Sequence, residues 1–573
     1  MRKTHKLRIG IVAAAVLSVP VALAQDGFPA NSTPPIPAGI PVTSPLVLAK
    51  CSGCHSNDGR GNLTRISWIR TTPEGWQEAV KRMMRLNGVK LTPEEARAIV
   101  KSLSDTHGLA PDEAKPVMYM AERRIIDEDY PTPWMRQTCG SCHALGRPLQ
   151  WRRTKQEWEL LVNMHLGYFP DAEGAAFRHR GPPAMGPDGH PEPEPSELAV
   201  DYFGKNYGLR TPEWTAWETR VRKAKLDGKW LISAHSPGHG DFVGEMNISR
   251  GNNDEFTTQI KLQPIHGGPA VERTGHAVLY AGYSWRGRDR GTPSSKDANA
   301  IPAELKETMW MSPDGTGGFG RWFWGDYNEF GFDVKLTPAQ GSPMLISTDT
   351  PGLKAGSQAQ RVRIYGDSLP SRIAPADLDF GSGISVKRIL SNSPSEVVAE
   401  VDVASNAALG RRDLALGRVV LPKATAVYDR VDYIKVAPED ALARLGGDGS
   451  PRPKGYAQFE VVAYSRGPDG KEGTADDIEL GPADVNWSIE EFYESFDDDD
   501  KEFVGYLNSE GLFTPAIDGS NPQRKHLNDN RGNVWVVATA KSLKDRDNQP
   551  LTAKSYLVVA PPLYIMWDRE TEP

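Results

Sequence analysis

Cys51-Ser52-Gly53-Cys54-His55 and Cys139-Gly140-Ser141-Cys142-His143 are two copies of one Cys-x-x-Cys-His motif, and they use all four cysteines of the chain. Two thiols at this spacing can each bond one vinyl group of a haem, and the adjacent histidine can then ligate the iron. A redox dithiol or a structural disulfide needs no trailing histidine, and a zinc site of four thiols does not explain a histidine after both pairs. The motifs therefore predict two covalently bound c-type haems and a role in electron transfer.

The residues after each motif repeat as well. Trp68 and Trp76 follow the first motif, Trp151 and Trp158 follow the second, and in each copy the second tryptophan opens a helical segment. A later helical segment ends at a Gly-Leu pair in both copies. We therefore expect two small helical cytochrome c units in tandem, at about residues 45–112 and 133–213.

The same alignment predicts the sixth iron ligands. Met83 lies seven residues after Trp76, and His165 lies seven residues after Trp158. If the two copies superimpose, one haem is ligated by His55 and Met83 and the other by His143 and His165. Methionines on helices also serve as core fillers, so other ligands stay open. The alternatives are Met84, Met164, His107 and His179.

A thioether ligand raises the potential of a haem relative to a second imidazole. The ligand assignment therefore leads to a hypothesis about the route. Electrons would enter at the haem with two histidine ligands and leave through the haem with one methionine ligand.

The first residues have the pattern of a secretory signal. A positive segment precedes an apolar stretch over residues 9–23, and Ala22-Leu23-Ala24 matches a cleavage site, so residues 1–24 are a predicted signal peptide. The alternative is an uncleaved membrane anchor, although the apolar stretch is short for a span. Export and c-type haem attachment together indicate a bacterial periplasm. The net charge of −7 argues against nucleic acid as a partner.

From about residue 214 the sequence is typical of β-structure. Aromatic segments bounded by glycine, at 277–287 and 320–325, predict an antiparallel sheet that curls into a barrel. Alternating segments at 361–365 and 396–401 predict an immunoglobulin-like sandwich, and similar segments follow after residue 433.

The predicted fold class is therefore multidomain, with an N-terminal all-α tandem di-haem cytochrome c domain followed by three mostly antiparallel β domains, a barrel and immunoglobulin-like sandwiches. The sequence contains no nucleophilic triad, phosphate loop or dinucleotide fingerprint, so substrate chemistry is not expected in this chain. The predicted domains are 1–24 (signal peptide), 25–213 (di-haem domain), 214–338 (barrel), 339–432 (sandwich) and 433–573 (C-terminal sandwich).

This arrangement resembles the α subunit of quinohemoprotein amine dehydrogenase along nearly the whole mature chain. The resemblance rests on the spacing from tryptophan to ligand, on Gly320-Arg321-Trp322-Phe323, and on the segments 496–505 and 511–515. It implies eight binding residues in this chain and no catalytic residue. They are Cys51, Cys54, Cys139 and Cys142 for the haem thioethers, and His55, Met83, His143 and His165 for iron.

The resemblance also implies partners. In such enzymes a small γ subunit carries cysteine tryptophylquinone, which oxidises a primary amine to an aldehyde and ammonia, and a β subunit forms a propeller. The di-haem α subunit passes the electrons to a soluble periplasmic cytochrome c or blue copper protein. The quinone is expected on the partner, because the cysteines of this chain are committed to haem.

Three other functions compete with this one. A free-standing periplasmic di-haem carrier would have no propeller and no small cysteine-rich subunit encoded beside it. A haem peroxidase would need an open or displaceable distal position on one iron. A cell-surface binding protein would carry its haems for structure alone.

Overall fold

The described part of the chain is built mainly from β-strands. The computed structural model describes residues 38–117, 132–139, 146–179, 181–183, 185–218, 224–295, 297–467, 469–492, 498–525 and 528–562. The elements described below, from Ile40 onwards, belong to one compact unit. The helices are α1 Pro45–Cys51, α2 Pro73–Leu86, α3 Pro93–Thr106, α4 Pro111–Ala114, α5 Pro133–Thr138, α6 Gly146–Leu149, α7 Lys155–Tyr168, α8 Pro195–Asn206, α9 Pro212–Glu218 and α10 Asp500–Phe503.

The two halves of the N-terminal region share one plan. In each half a three-residue strand leads through a threonine N-cap into a long helix, whose tryptophan indole N–H donates to a carbonyl at the end of a second long helix. The strands are β1, Ile69–Thr71, and β2, Trp151–Arg153. They pair antiparallel with Arg70 opposite Arg152, so the two equivalent arginines lie at the centre of the ladder that joins the halves.

Local sequence explains the helix starts. Thr72 and Thr154 accept hydrogen bonds from the backbone N–H groups of Gly75 and Glu157, at 3.4 and 3.3 Å. These side chains satisfy N–H groups that have no partner within the helix. The helix α3 begins with a capping box between Thr92 and Glu95.

The predicted all-α N-terminal domain is wrong. The described residues of this region contain the β1–β2 ladder, and the fold as a whole is mostly β. Three-residue strands have no measurable periodicity, and these two are far apart in sequence. Their pairing is a long-range contact that local patterns do not reveal.

One buried carboxylate lies between the two central arginines. Glu113 accepts from Arg70 at 2.7 and 3.0 Å and from Arg152 at 3.1 Å. The side chains of the three residues are 3, 0 and 7 % exposed, respectively. Burial alone would raise the pKa of Glu113, but the hydrogen bonds and charge of Arg70, and then the charge of Arg152, lower the pKa to about 2. This ion triad joins the two halves beside the β1–β2 ladder.

The next domain is a closed eight-stranded antiparallel barrel. The strand order is β10-β3-β4-β5-β6-β7-β8-β9, and pairing of the last strand with the first removes both sheet edges. Its interior is filled by apolar side chains that include Trp230, Trp285 and Trp322. The strands are β3 Gly228–Ser236, β4 Gly240–Arg250, β5 Glu255–Pro264, β6 Val271–Tyr280, β7 Ser284–Gly291, β8 Glu304–Met311, β9 Gly318–Trp324 and β10 Phe330–Pro338.

The haem-motif region is anchored on this barrel. Tyr283 and Trp310 of the barrel donate side-chain hydrogen bonds to the carbonyls of Leu109 and Pro111, both at 3.0 Å. An ion pair joins Arg286 to Glu74 in the first turn of α2. The barrel therefore holds the start of α2 and the segment that carries Glu113.

A β-sandwich follows, with two four-stranded sheets in the orders β11-β13-β16-β15 and β12-β18-β17-β14. One apolar cluster contains residues of both sheets, among them Leu353, Val362 and Leu414. The strands are β11 Met344–Thr348, β12 Leu353–Lys354, β13 Gln360–Asp367, β14 Leu378–Asp379, β15 Ile384–Asn392, β16 Glu396–Val403, β17 Gly410–Leu416 and β18 Val419–Tyr428.

The last part of the chain forms three sheets around one core, in the orders β19-β22-β23, β20-β28-β27-β24 and β21-β26-β25. Among its described residues, as in the rest of the described chain, no helix is long and apolar enough to cross a membrane. The strands are β19 Tyr433–Ala437, β20 Asp440–Arg444, β21 Ala457–Gln458, β22 Glu460–Ser465, β23 Ile478–Pro482, β24 Val485–Glu491, β25 Gly505–Leu507, β26 Leu512–Pro515, β27 Gly532–Lys544 and β28 Pro550–Ala560.

The Glu113 triad makes a prediction about stability. Glu113→Gln leaves two buried guanidinium groups without their shared carboxylate, so we expect the free energy of unfolding to fall by about 3–5 kcal/mol. A denaturant titration measures this loss. The control is Glu94→Gln, which breaks an exposed pair with Arg97 and is expected to cost less than about 1 kcal/mol.

The same group predicts acid sensitivity. The pKa of Glu113 is lowered from 4.5 to about 2 in the folded protein, so its stabilising contribution is present above pH 4.5 and is lost as the pH falls through 2. The gap in stability between the wild type and Glu113→Gln should therefore narrow over this range. A gap that stays constant from pH 5 to pH 2 would contradict this role of Glu113.

Candidate haem-binding site

The first motif forms a tight turn at the end of α1. The backbone N–H groups of Cys54 and His55 both donate to the carbonyl of Cys51, at 3.2 and 2.9 Å. The Cys51 side chain packs against the apolar cluster around Trp76, whereas Cys54 is exposed. Burial, and then the charge of Cys54, raises the pKa of the Cys51 thiol. The two thiols lie on one turn and form no disulfide with each other.

A backbone carbonyl sets the tautomer of His55. Its Nδ1–H donates to the Thr64 carbonyl at 2.7 Å, which leaves the lone pair on Nε2. Metal-ligating histidines commonly donate their second ring N–H to a carbonyl in this way, because the bond fixes both the ring orientation and the tautomer. The loop from Ser56 to Thr64 is itself closed by a backbone hydrogen bond of 3.0 Å.

The helix α2 carries the predicted distal ligand of the first half. Ala79 and Val80 pack with Trp76 against the cluster that Cys51 also contacts. Met83 lies one turn after them on the same helix face, because positions i, i+3, i+4 and i+7 of a helix share a face. Its side chain is half-buried. The side-chain amide of Asn87 donates to its sulfur at 3.7 Å. This bond orients the thioether at the end of the helix.

The second half repeats this arrangement with a different side chain. Cys139 packs against the cluster of Trp158, Leu161 and Val162 on α7, and His165 lies one turn after them, half-buried. His165 Nδ1–H donates to the Leu161 carbonyl at 2.9 Å, which places the lone pair on Nε2. Burial lowers the pKa of His165 and favours the neutral ring that a metal requires.

The other two residues of the second motif, Cys142 and His143, lie outside the described residues, as does the predicted signal peptide at 1–24. The assignment of Cys142 and His143 as haem-binding residues therefore stays a prediction. The iron ligand roles of His55, Met83 and His165 also stay predictions.

Two of the alternative ligands are engaged elsewhere. His107 is buried, its Nε2 donates to the Ile40 carbonyl at 3.0 Å, and its Nδ1 lies 2.8 Å from the Thr106 hydroxyl. Burial lowers the pKa of His107 to about 4. His179 Nε2 donates to the Pro193 carbonyl at 3.0 Å. Met84 and Met164 are half-buried and adjoin the predicted ligands Met83 and His165 in the sequence.

The donors of the first half fit a haem. Two unbonded cysteines lie at the attachment spacing, and a histidine is held in the tautomer that ligates iron. The helix α2 packs against the cluster that Cys51 contacts, and the thioether of Met83 lies near its end on the face of Trp76. In the second half, Cys139 packs against residues of α7, and His165 lies on that helix at the place that Met83 has on α2.

Sequence reasoning missed several supporting residues. These are the carbonyls of Thr64 and Leu161, the amide of Asn87 and the carboxylate of Glu113. Backbone acceptors leave no sequence signal, whereas the arginines do. Arg70 and Arg152 each lie two residues before the threonine cap of a long helix, and a shared structural role could have been predicted from this repeat.

Family models match most of the chain. A model described as quinohemoprotein amine dehydrogenase A, alpha subunit, haem binding, matches residues 42–181. Models of α-subunit domains II, III and IV of the same enzyme match residues 223–339, 343–429 and 434–570. The chain belongs to the α-subunit family of quinohemoprotein amine dehydrogenases. As a member of this family it has a haem-binding domain and is a subunit of a larger complex.

Other comparisons add little to this family assignment. A search of curated proteins found no match. A de novo designed fluorescence-activating β-barrel is 17 % identical, with a TM-score of 0.16, over 20 % of this chain and 93 % of the design. The first two domains of human protocadherin-24 are 12 % identical, with a TM-score of 0.16, over 38 % of this chain and 96 % of theirs. Scores this low carry no argument about function.

The two methionines on α2 make a prediction about ligation. Met83→Ala removes the thioether from the face shared with Trp76, so we expect loss of the far-red charge-transfer band of a methionine-ligated ferric haem. Met84→Ala is the matched control and should keep the band, since its side chain lies about 100° around the helix. Absorption spectra of the two oxidised variants decide between them. Loss of the band in Met84→Ala alone would assign the ligand to Met84.

Proposed function

We propose that this chain is the electron-transfer subunit of a periplasmic quinohemoprotein amine dehydrogenase. It carries electrons from a cysteine tryptophylquinone on a partner subunit, through two covalently attached c-type haems, to a soluble cytochrome c or blue copper protein. Oxidative deamination of the primary amine takes place on the partner. The observation that carries this proposal is the pair of equivalent positions, Met83 and His165, on matching helices of two joined halves.

The packing between the halves supports transfer between two centres. Trp151 contacts both the apolar cluster of Cys51 and the apolar cluster of Cys139. A single indole therefore bridges the walls of the two haem sites. The β1–β2 ladder and the Glu113 triad hold these walls at a fixed separation.

The residues of this chain have separate roles. Cys51, Cys54, Cys139 and Cys142 attach the two haems, and His55 and His143 are the proximal ligands. Met83 and His165 are the distal ligands. Haem iron, when bound, accepts and releases one electron at a potential set by its axial ligands and surroundings. The chain itself orients the ligands, excludes water with Trp76 and Trp158, and fixes the distance between the sites.

The proposed complex contains a β-propeller β subunit and a small γ subunit that bears the quinone, and together with this chain they form a heterotrimer. The proposal places the complex in the periplasm, reached through a signal peptide at residues 1–24. The family of the chain supports the complex, and the two cysteine–histidine motifs support the periplasm as its compartment.

The test uses the protein purified natively from periplasm. We expect a primary amine, added to the oxidised complex, to raise the ferrous haem α-band, because the quinone delivers its electrons to this chain. An alcohol of the same carbon skeleton is the control substrate and should leave the haems ferric. Haems that stay ferric with amine but are reduced by dithionite would overturn the amine dehydrogenase proposal and leave a di-haem carrier.

The route through the haems makes a further prediction. Met83→His gives the first haem two histidine ligands, and its midpoint potential should fall toward that of the second haem. A spectroelectrochemical titration resolves the two potentials. If the wild-type haems already share one potential, or if the variant leaves both unchanged, the order from bis-histidine to methionine-ligated haem is contradicted.

A further inference from the structure

Arg153 is a buried guanidinium whose hydrogen bonds are incomplete. Its side chain is 4 % exposed, and its Nε has no hydrogen-bond partner among the described residues. The Glu157 carboxylate lies 3.9 Å from Nη1, beyond hydrogen-bond distance. That carboxylate accepts a hydrogen bond of 2.9 Å from Arg65 instead. A buried charge in this state requires a further counter-charge.

The neighbouring arginine shows what complete pairing looks like in the same strand. Arg152 donates to Glu113 at 3.1 Å and to the Leu149 carbonyl at 2.9 Å. Successive residues of a strand point to opposite faces, so Arg152 faces the triad and Arg153 faces the other side of the ladder. Arg153 directly precedes the threonine cap of its helix, and the residue at the same place in the first half is Thr71. The shared fold therefore does not require an arginine there.

The face of the ladder that Arg153 occupies borders the apolar cluster of Cys139, which is the wall of the predicted second haem site. The Arg153 guanidinium stacks 4.2 Å from the ring of Trp151, which contacts the clusters of both Cys51 and Cys139. It lies 5.7 Å from the ring of Trp158, which belongs to the cluster of Cys139. Stacking on these rings covers the flat face of the guanidinium and leaves its in-plane N–H groups for an acceptor.

The charges around Arg153 are mainly positive. Burial, followed by the charges of Arg82 and Arg65, lowers the pKa of Arg153 to about 9 against the opposing charge of Glu157. Arg153 and Arg82 also lie close enough to His165 for their charges to act on its ring. A positive pocket beside the predicted distal ligand favours an anion over a second cation or a neutral group.

We propose that Arg153 binds a propionate carboxylate of the haem in the second half, donating to it from Nε. This inference rests on the proposed function, since the propionate belongs to the haem attached at Cys139 and Cys142. A guanidinium edge matches a planar carboxylate, and a charge-assisted bond of this kind is strong in a buried site. Arg153 neutralises negative charge near the iron, and so it raises the potential of this haem relative to one with an unpaired propionate.

The experiment compares midpoint potentials and propionate vibrations in the haem-loaded complex. In Arg153→Gln we expect the potential of one haem to shift to a lower value and its propionate bending band in the resonance Raman spectrum to move. Arg153→Lys keeps the charge and should retain most of the potential while the band still moves. Arg97→Gln removes an exposed arginine of α3 and is the control for loss of one positive charge, with no change expected.

The outcomes separate this inference from the proposed function. Two covalent haems in the wild type with unchanged potentials and bands in Arg153→Gln would overturn the role of Arg153 alone. Absence of covalent haem from the wild type would overturn the proposed function and this inference with it. If Arg153→Gln does not retain haem, a crystal structure of the loaded wild-type complex decides the matter. We expect a propionate oxygen about 3 Å from Nε, and a water or other acceptor there would contradict the assignment.

Discussion

The ion triad of Arg70, Glu113 and Arg152 is the interaction on which the haem-binding region depends. Each half contributes one arginine, and the carboxylate of Glu113 between them accepts from both. Two guanidinium groups buried side by side would repel each other and lose hydration, and only a fully hydrogen-bonded anion between them offsets that cost. The triad therefore fixes the β1–β2 ladder, and the ladder fixes the position of one half relative to the other.

On this shared frame, the proposed function depends on differences between the halves. The matching helices α2 and α7 start at a threonine cap, bury a tryptophan and then diverge where a ligand is expected, with Met83 in one and His165 in the other. The ladder diverges at Thr71 and Arg153. A thioether instead of an imidazole raises the potential of the first haem, and a buried positive charge instead of a hydroxyl raises the potential of the second. The two differences therefore act in opposite directions on the gap between the two haem potentials. Duplication thus supplies the same packing twice and leaves single side chains to set the chemistry.

The fold could be predicted from sequence only where the signal is local. Glycine-bounded aromatic segments such as 320–325 lie in barrel strands, and the capping box at Thr92 and Glu95 starts a helix, because each depends on neighbours in sequence. The all-α N-terminal domain was wrong for the opposite reason. Its two strands have three residues each, and their pairing is visible only when the copies are brought together.

By itself, the sequence determined that this protein binds haem, because the spacing of cysteine and histidine within five residues predicts that cofactor and the haem-binding family model confirms it. The repeat of tryptophan and ligand spacing predicts two sites of one design. Only the tertiary structure decided how these sites are held. The folded chain brings a backbone carbonyl to His55 and one shared carboxylate to Arg70 and Arg152. It also buries Arg153 with its Nε unpaired among the described residues. These arrangements involve the backbone or residues that are distant in sequence. Such contacts depend on the folded geometry, and residue identities alone do not encode them in any local pattern.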